Sequence, residues 1–111
     1  MVLGQAIDAV PFGVIVGRLD GRYLAANRMA CSLLGYEREE FLALSAREIS
    51  GRSWEAVEGL ARRLSREGEL SGRGPLRRKD GRIIAVEYVA SLIRLDDDDA
   101  YVAIILGIRP P

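Results

Sequence analysis

Few side chains in this sequence of 111 residues could do chemistry, and their spacing argues against most of it. Cys31 is the only thiol, a potential nucleophile, but the chain has no histidine to act as its base. Its expected role is that of a small, half-buried hydrophobe. The serines fall where helix caps or strands are expected, without a neighbour able to take a proton. Asp96-Asp97-Asp98-Asp99 sets four carboxylates in a row. A calcium loop instead spaces its ligands and bends at a glycine, so this run reads as a solvated hairpin tip. Arg62, Arg63, Arg66, Arg73, Arg77, Arg78 and Arg82 could form a basic face. Sixteen basic residues are balanced by sixteen acidic ones, and no aromatics interleave the arginines, which argues against nucleic acid as a partner. The expectation is a protein that is not an enzyme and holds no metal.

The elements around these residues are more informative. Asp20-Gly21 and Asp80-Gly81 each stand before an apolar run, and Asp-Gly between β-rich segments is a strong hairpin signal. Val14 to Val16 and Tyr23 to Ala26 flank the first turn. Asn27 is placed to cap a helix from Arg28 to Leu34, which Gly35 would end in the left-handed conformation. Ser45-Ala46-Arg47-Glu48 matches a capping box, and Ser53 would cap a longer helix from Trp54 to Glu67, closed by Gly68. Trp54, Val57, Leu60, Ala61 and Leu64 share one face of it. Gly59 lies inside that helix at a cost of roughly 1 kcal/mol relative to Ala, so either a close approach or a tolerated solvent position explains it.

Toward the C-terminus the pattern changes to strands. Leu70 to Lys79 carries Gly72, Gly74 and Pro75, which suit an edge strand. Ile83 to Leu95 and Tyr101 to Ile108 are strongly β, with Asp96 to Asp99 as the turn. Glu87 and Ser91 set the outward parity, so Ile84, Val86, Tyr88, Ala90 and Leu92 face the core. Val89 and Ile93 are then apolar on the outside, and a sheet apolar on both faces must be covered. Leu3, Ile7 and Val10 recur at helical spacing before Pro11 and offer a short amphipathic N-terminal helix as one cover, with a second subunit as the other.

Length limits the chain to one domain. Its longest uncharged apolar stretches are about half of what a helix needs to span a bilayer, and no basic region precedes the first. The expected location is the cytoplasm, with no membrane partner, and a lone cysteine fits a reducing compartment.

The order of these elements, with Pro11-Phe12-Gly13-Val14, Leu19-Asp20-Gly21-Arg22, Asn27-Arg28-Met29-Ala30, Leu34-Gly35-Tyr36, Glu39-Glu40-Phe41 and Arg78-Lys79-Asp80-Gly81-Arg82, closely resembles the PAS domain. The resemblance implies an α+β fold, a five-stranded antiparallel sheet in the order 2-1-5-4-3 with helices packed on one face and a pocket between. It assigns residues 1–10 to a flanking helix and 12–108 to the core. It also implies a sensory or relay module in signal transduction, typically joined to an effector such as a histidine kinase of a bacterial two-component system. Many members end the last strand in Asp-Ile-Thr. This chain has Gly107-Ile108-Arg109 and then two prolines, so coupling through that contact is not expected, and the chain reads as a domain cut from a longer protein.

The resemblance also bears on cofactors. Haem-binding members use a histidine, which this chain lacks, so haem is disfavoured. Light-sensing members carry a reactive cysteine after a helix, where this chain reads Gly51-Arg52-Ser53-Trp54, so a cysteinyl-flavin adduct is disfavoured too. Redox-sensing members place a tryptophan within the long helix, whereas Trp54 opens it, which leaves flavin adenine dinucleotide open but little supported. Two functions follow. One is a sensor for a small apolar ligand in a pocket of Ile15, Leu24, Ala26, Met29, Leu33, Leu60, Leu64, Val86, Tyr88 and Ile104. The other is a ligand-free homodimerisation and relay scaffold using Leu3, Ile7, Val10, Val14, Val16, Val89 and Ile93.

Overall fold

The computed structural model describes residues 2–109, with side chains from residue 5 onward. Helix α1 (Val2–Asp8) precedes strands β1 (Gly13–Arg18) and β2 (Tyr23–Ala26). Helices α2 (Arg28–Leu34), α3 (Arg38–Leu42), α4 (Ala46–Ile49) and α5 (Trp54–Glu67) follow, then strands β3 (Glu69–Arg77), β4 (Ile83–Leu95) and β5 (Asp98–Arg109). The strands form one antiparallel sheet in the order β2-β1-β5-β4-β3, the arrangement expected from the sequence.

Local hydrogen bonding explains most boundaries. At the two Asp-Gly turns the aspartate accepts from the backbone N–H two residues on, Asp20 from Arg22 at 3.0 Å and Asp80 from Arg82 at 2.9 Å. Gly21 and Gly81 take the positive φ these turns need, 100° and 89°. Asn27, Ser45 and Ser53 cap α2, α4 and α5, while Gly35 and Gly68 close α2 and α5 in the left-handed region. Helix α3 carries no favoured N-cap residue. Its start is fixed instead by the Glu37 N–H donating to Glu40 at 2.9 Å.

The acidic run forms a tighter turn than its length suggests. Only Asp96 and Asp97 lie between the strands, at φ 52° and 65°, while Asp98 and Asp99 already pair with Leu95 and Arg94. A two-residue hairpin turn with positive φ at both positions matches the strand twist, and Asp tolerates that conformation.

The sheet divides two apolar clusters. On the helix side Ile15, Tyr23, Ala26, Ala30, Leu34, Phe41, Ile49, Val86 and Ile105 form the main core, with the Tyr23 and Phe41 rings 4.6 Å apart. On the other side Ile7 of α1 closes over Val14, Val16 and Ala25, with Ile93, Val102 and Ile104 packed around them. Helix α1 is therefore the cover for this part of the outer face. It is held by more than apolar contact: the Asn27 amide donates to the Ile7 carbonyl at 2.9 Å, and Asp8 accepts from the Arg28 N–H and pairs with Arg38 at 2.8 Å. A backbone hydrogen bond from Arg28 and a side-chain one from Arg38 hold the Asp8 carboxyl below its usual range.

Candidate functional site

A cavity of about 180 Å³ lies between α5 and the helix-facing side of the sheet. Helix α5 contributes Val57, Leu60, Ala61 and Leu64, and β1 contributes Ile15. The floor is Val86, Tyr88 and Ala90 of β4 beside Tyr101, Ala103 and Ile105 of β5. Leu70, Gly74, Pro75 and Leu76 of β3 form the outer wall, and Arg52 and Ser50 lie where the α4–α5 connection passes that edge strand. The lining is overwhelmingly apolar, and its polar groups are few: three tyrosines, one serine hydroxyl and arginine side chains.

The strand period and the helix stripe explain which residues arrive there. Along β5 the odd-numbered Tyr101, Ala103 and Ile105 face α5, and Val102 and Ile104 face α1. Opposite Tyr101 is Gly17, where a Cβ would come within 2.6 Å of the phenol oxygen. The bare glycine makes room for the ring. Burial pushes the Tyr101 phenol up to about 12 and raises Tyr23 above its ordinary value as well.

Of the ten pocket residues expected from the sequence, Ile15, Leu60, Leu64, Val86 and Tyr88 line this cavity. Ala26 and Leu33 belong to the main core beside it, Ala26 buried opposite Ile15 and Leu33 half-buried with its carbonyl accepting from Arg78. Leu24 and Ile104 are on the opposite face of the sheet. For Ile104 the cause is the alternation along β5. For Leu24 it is a bulge: Val16 pairs with Ala25 and Gly17 with Tyr23, so Leu24 has no partner and turns outward. Met29 is 51% exposed, because α2 buries the stripe of Ala30, Cys31 and Leu34 and Met29 lies off it.

The residues expected at a subunit interface also divide. Ile7 of α1 packs onto Val14 and Val16, and all three are buried within one molecule. Val10, Val89 and Ile93 are half-buried, and the side chain of Leu3 is outside the described residues. Sequence reasoning missed Val57 and Ala61, although they share the α5 stripe with Leu60 and Leu64. It also missed Tyr101, Ala103 and Ile105, whose parity only the pairing with β1 and β4 decides, and Arg52, which no local pattern marks.

Trp54 stands at the entrance to α5, with its ring against the Gly21 turn and the Arg47 guanidinium 3.9 Å from the ring centroid. It packs the helix start onto the first hairpin. Gly59 is open on its outer side: a Cβ there would meet only the end of the Arg62 side chain, at 3.8 Å. Cys31 is buried, and burial raises its thiol above the usual value, which makes it a poor nucleophile. Among the described residues no group of three or more His, Cys, Asp or Glu side chains is arranged to hold a metal, and no helix is long and apolar enough to cross a membrane.

A family model described as the PAS domain matches residues 11–109. Among solved structures, the chain is similar to the PAS domain of an HTR-like protein from Haloarcula marismortui, with 25% identity and a TM-score of 0.84 over 97% of this chain and 89% of that one. It is also similar to a domain of a sensory box sensor histidine kinase/response regulator from Geobacter sulfurreducens, with 25% identity and a TM-score of 0.76 over 93% and 90%. A LOV domain from a blue-light activated histidine kinase of Erythrobacter litoralis shares the fold at 20% identity, with a TM-score of 0.68 over 88% and 98%. No curated protein sequence matches.

Proposed function

The chain belongs to the PAS domain family, and from that premise we propose that it is a sensory module that binds a small, mainly apolar ligand and relays its presence to an attached effector such as a histidine kinase. The observation that carries this reading is the apolar cavity between α5 and the sheet. Interiors normally close-pack to leave few voids larger than a water molecule. An engineered apolar cavity of about 150 Å³ binds benzene, so a space of this size suits a ligand of one ring or a short chain. Flavin adenine dinucleotide and haem are far larger. The function is a binding one, without catalysis, in a reducing compartment such as the cytoplasm.

The relay has a physical route. Strand β5 touches the cavity through Tyr101, Ala103 and Ile105 and touches the α1 side through Val102 and Ile104. A ligand that shifts β5 therefore shifts the seat of α1, and binding differs in energy between two seatings. Denaturing purified protein and analysing the released small molecules by mass, with an absorption spectrum beforehand, tests the reading. A stoichiometric small apolar compound supports it. A bound flavin or haem would replace it.

A second reading, a ligand-free homodimerisation and relay scaffold, draws on one observation: Val89, Ile93, Val102 and Ile104 are half-buried on the outer face. Sedimentation of Val89→Glu tests it. A wild-type dimer that dissociates in the variant supports that reading, and a wild-type monomer rules it out.

A further inference from the structure

Strand β3 pairs with β4 so that Leu70, Gly72, Gly74 and Leu76 lie opposite Ala90, Tyr88, Val86 and Ile84. Val86 and Tyr88 line the cavity, so the two glycines leave the helix-facing side of the edge strand bare at two successive positions. Both gaps meet a polar group. The Arg52 guanidinium occupies the space a Gly74 side chain would fill, with its Cζ 3.0 Å from that Cβ position, and the Tyr88 hydroxyl is 3.8 Å from the corresponding point on Gly72.

Arg52 has few partners within the protein there. Its one side-chain hydrogen bond among the described residues is a long one, Nη2 donating to the Arg73 carbonyl at 3.4 Å. None of the ion pairs among the described residues includes it. The guanidinium of this half-buried residue, set at the rim of an apolar cavity with donors that the protein leaves free, is complementary to a carboxylate carried on an apolar body. We propose that the ligand is a small apolar monocarboxylate whose carboxylate pairs with Arg52, with the Tyr88 hydroxyl as a second donor and the hydrocarbon part directed toward Leu60, Leu64 and Ile105. The inference rests on the sensory reading above and specifies the class of ligand for that same cavity. About eight heavy atoms fill a space near the size that holds benzene, so benzoate and hexanoate are suitable test ligands.

The test is calorimetric titration of the protein with benzoate against benzamide and with hexanoate against hexanamide, repeated on Arg52→Gln and on Gly74→Ala. The amides keep shape and remove charge. Gly74→Ala leaves the charge and displaces the guanidinium from the cavity wall. At least one acid is expected to bind wild type about tenfold or more tightly than its amide, the size of one charge-assisted hydrogen bond. Both variants should erase that preference, with amide affinity unchanged. Equal binding of acid and amide by wild type, or an acid preference that survives Arg52→Gln, overturns the carboxylate assignment and leaves the cavity reading standing. Binding of none of the four compounds overturns the cavity reading together with this inference.

Discussion

The side-chain amide of Asn27 donates to the carbonyl of Ile7 at 2.9 Å, tying α1 to the residue that starts α2. The same carboxamide donates to Phe12 at 2.7 Å and accepts from the N–H groups of Val14 and Ala30, each at 3.0 Å. Every donor and acceptor position on a 1% exposed side chain is thus engaged, and α1, β1 and α2 meet through it. Replacing Asn27 by Ala would leave the N–H groups of Val14 and Ala30 without their partner, each at a cost of about 1–3 kcal/mol, and would strip the Ile7 carbonyl of one of its two bonds, the other coming from the Val10 N–H. Asn27→Ala should therefore lower stability by about 3 kcal/mol or more in urea unfolding. Asn27→Asp should cost at least as much, since it sets an acceptor against two carbonyls. A loss under about 1 kcal/mol for both would contradict this account of the junction.

Gly17 and Tyr101 form a second coupled pair. A Cβ at residue 17 would come within 2.8 Å of three phenol atoms, so Gly17→Ala has to push the ring into the cavity or out of place. The expected cost is about 1–3 kcal/mol, the usual range for overpacking. The cost should largely disappear in the background of Tyr101→Leu, which removes the phenol oxygen. A double-mutant cycle checks this, and additive effects would show that the two residues do not interact.

The elevated phenol of Tyr101 makes a pH prediction. Its pKa is about 12 in the fold against an ordinary value of 10.0, so between those values the unfolded chain binds fewer protons than the native one. Stability is then fully present below pH 10 and falls as pH rises toward 12, by on the order of 3 kcal/mol. Tyr101→Phe should flatten that part of the stability profile. Absorbance titration of the phenols offers a direct check, with Tyr101 ionising well above the ordinary value and Tyr23 also raised by burial.

Helix α5 can be improved. Because a Cβ on Gly59 meets only the flexible end of Arg62, Gly59→Ala should stabilise the protein by about 1 kcal/mol through helix propensity alone. Thermal unfolding reads the gain directly. A loss would show that the glycine serves a close approach.

The parts of this molecule that were legible in the sequence are those governed by neighbours along the chain. Asn27, Ser45 and Ser53 announce their helices because a cap bonds to an N–H two or three residues away. The strand order followed from the resemblance of the whole pattern to a known family. What could not be read depends on residues far apart. The bulge that turns Leu24 outward exists only in register with Val16 and Gly17, and the parity of β5 is fixed by its partners. Asn27 showed its cap but not its bonds to Ile7 and Phe12. Arg52 carried no signal at all, since its place is set by the absence of a side chain at Gly74, although glycine at alternate positions of an edge strand is a mark of one bare face.

Methyl-resolved nuclear magnetic resonance tests the central claim, a ligand cavity between α5 and the sheet, most directly. Titration with benzoate and hexanoate and, in parallel, with their amides should give saturable shifts largest on the methyls of Leu60, Leu64, Val86 and Ile105, with smaller shifts at the same ligand concentrations on Val14, Val16 and Val102, which seat α1 behind the sheet. Absence of saturable shifts, or shifts confined to the α1 side, would contradict the account.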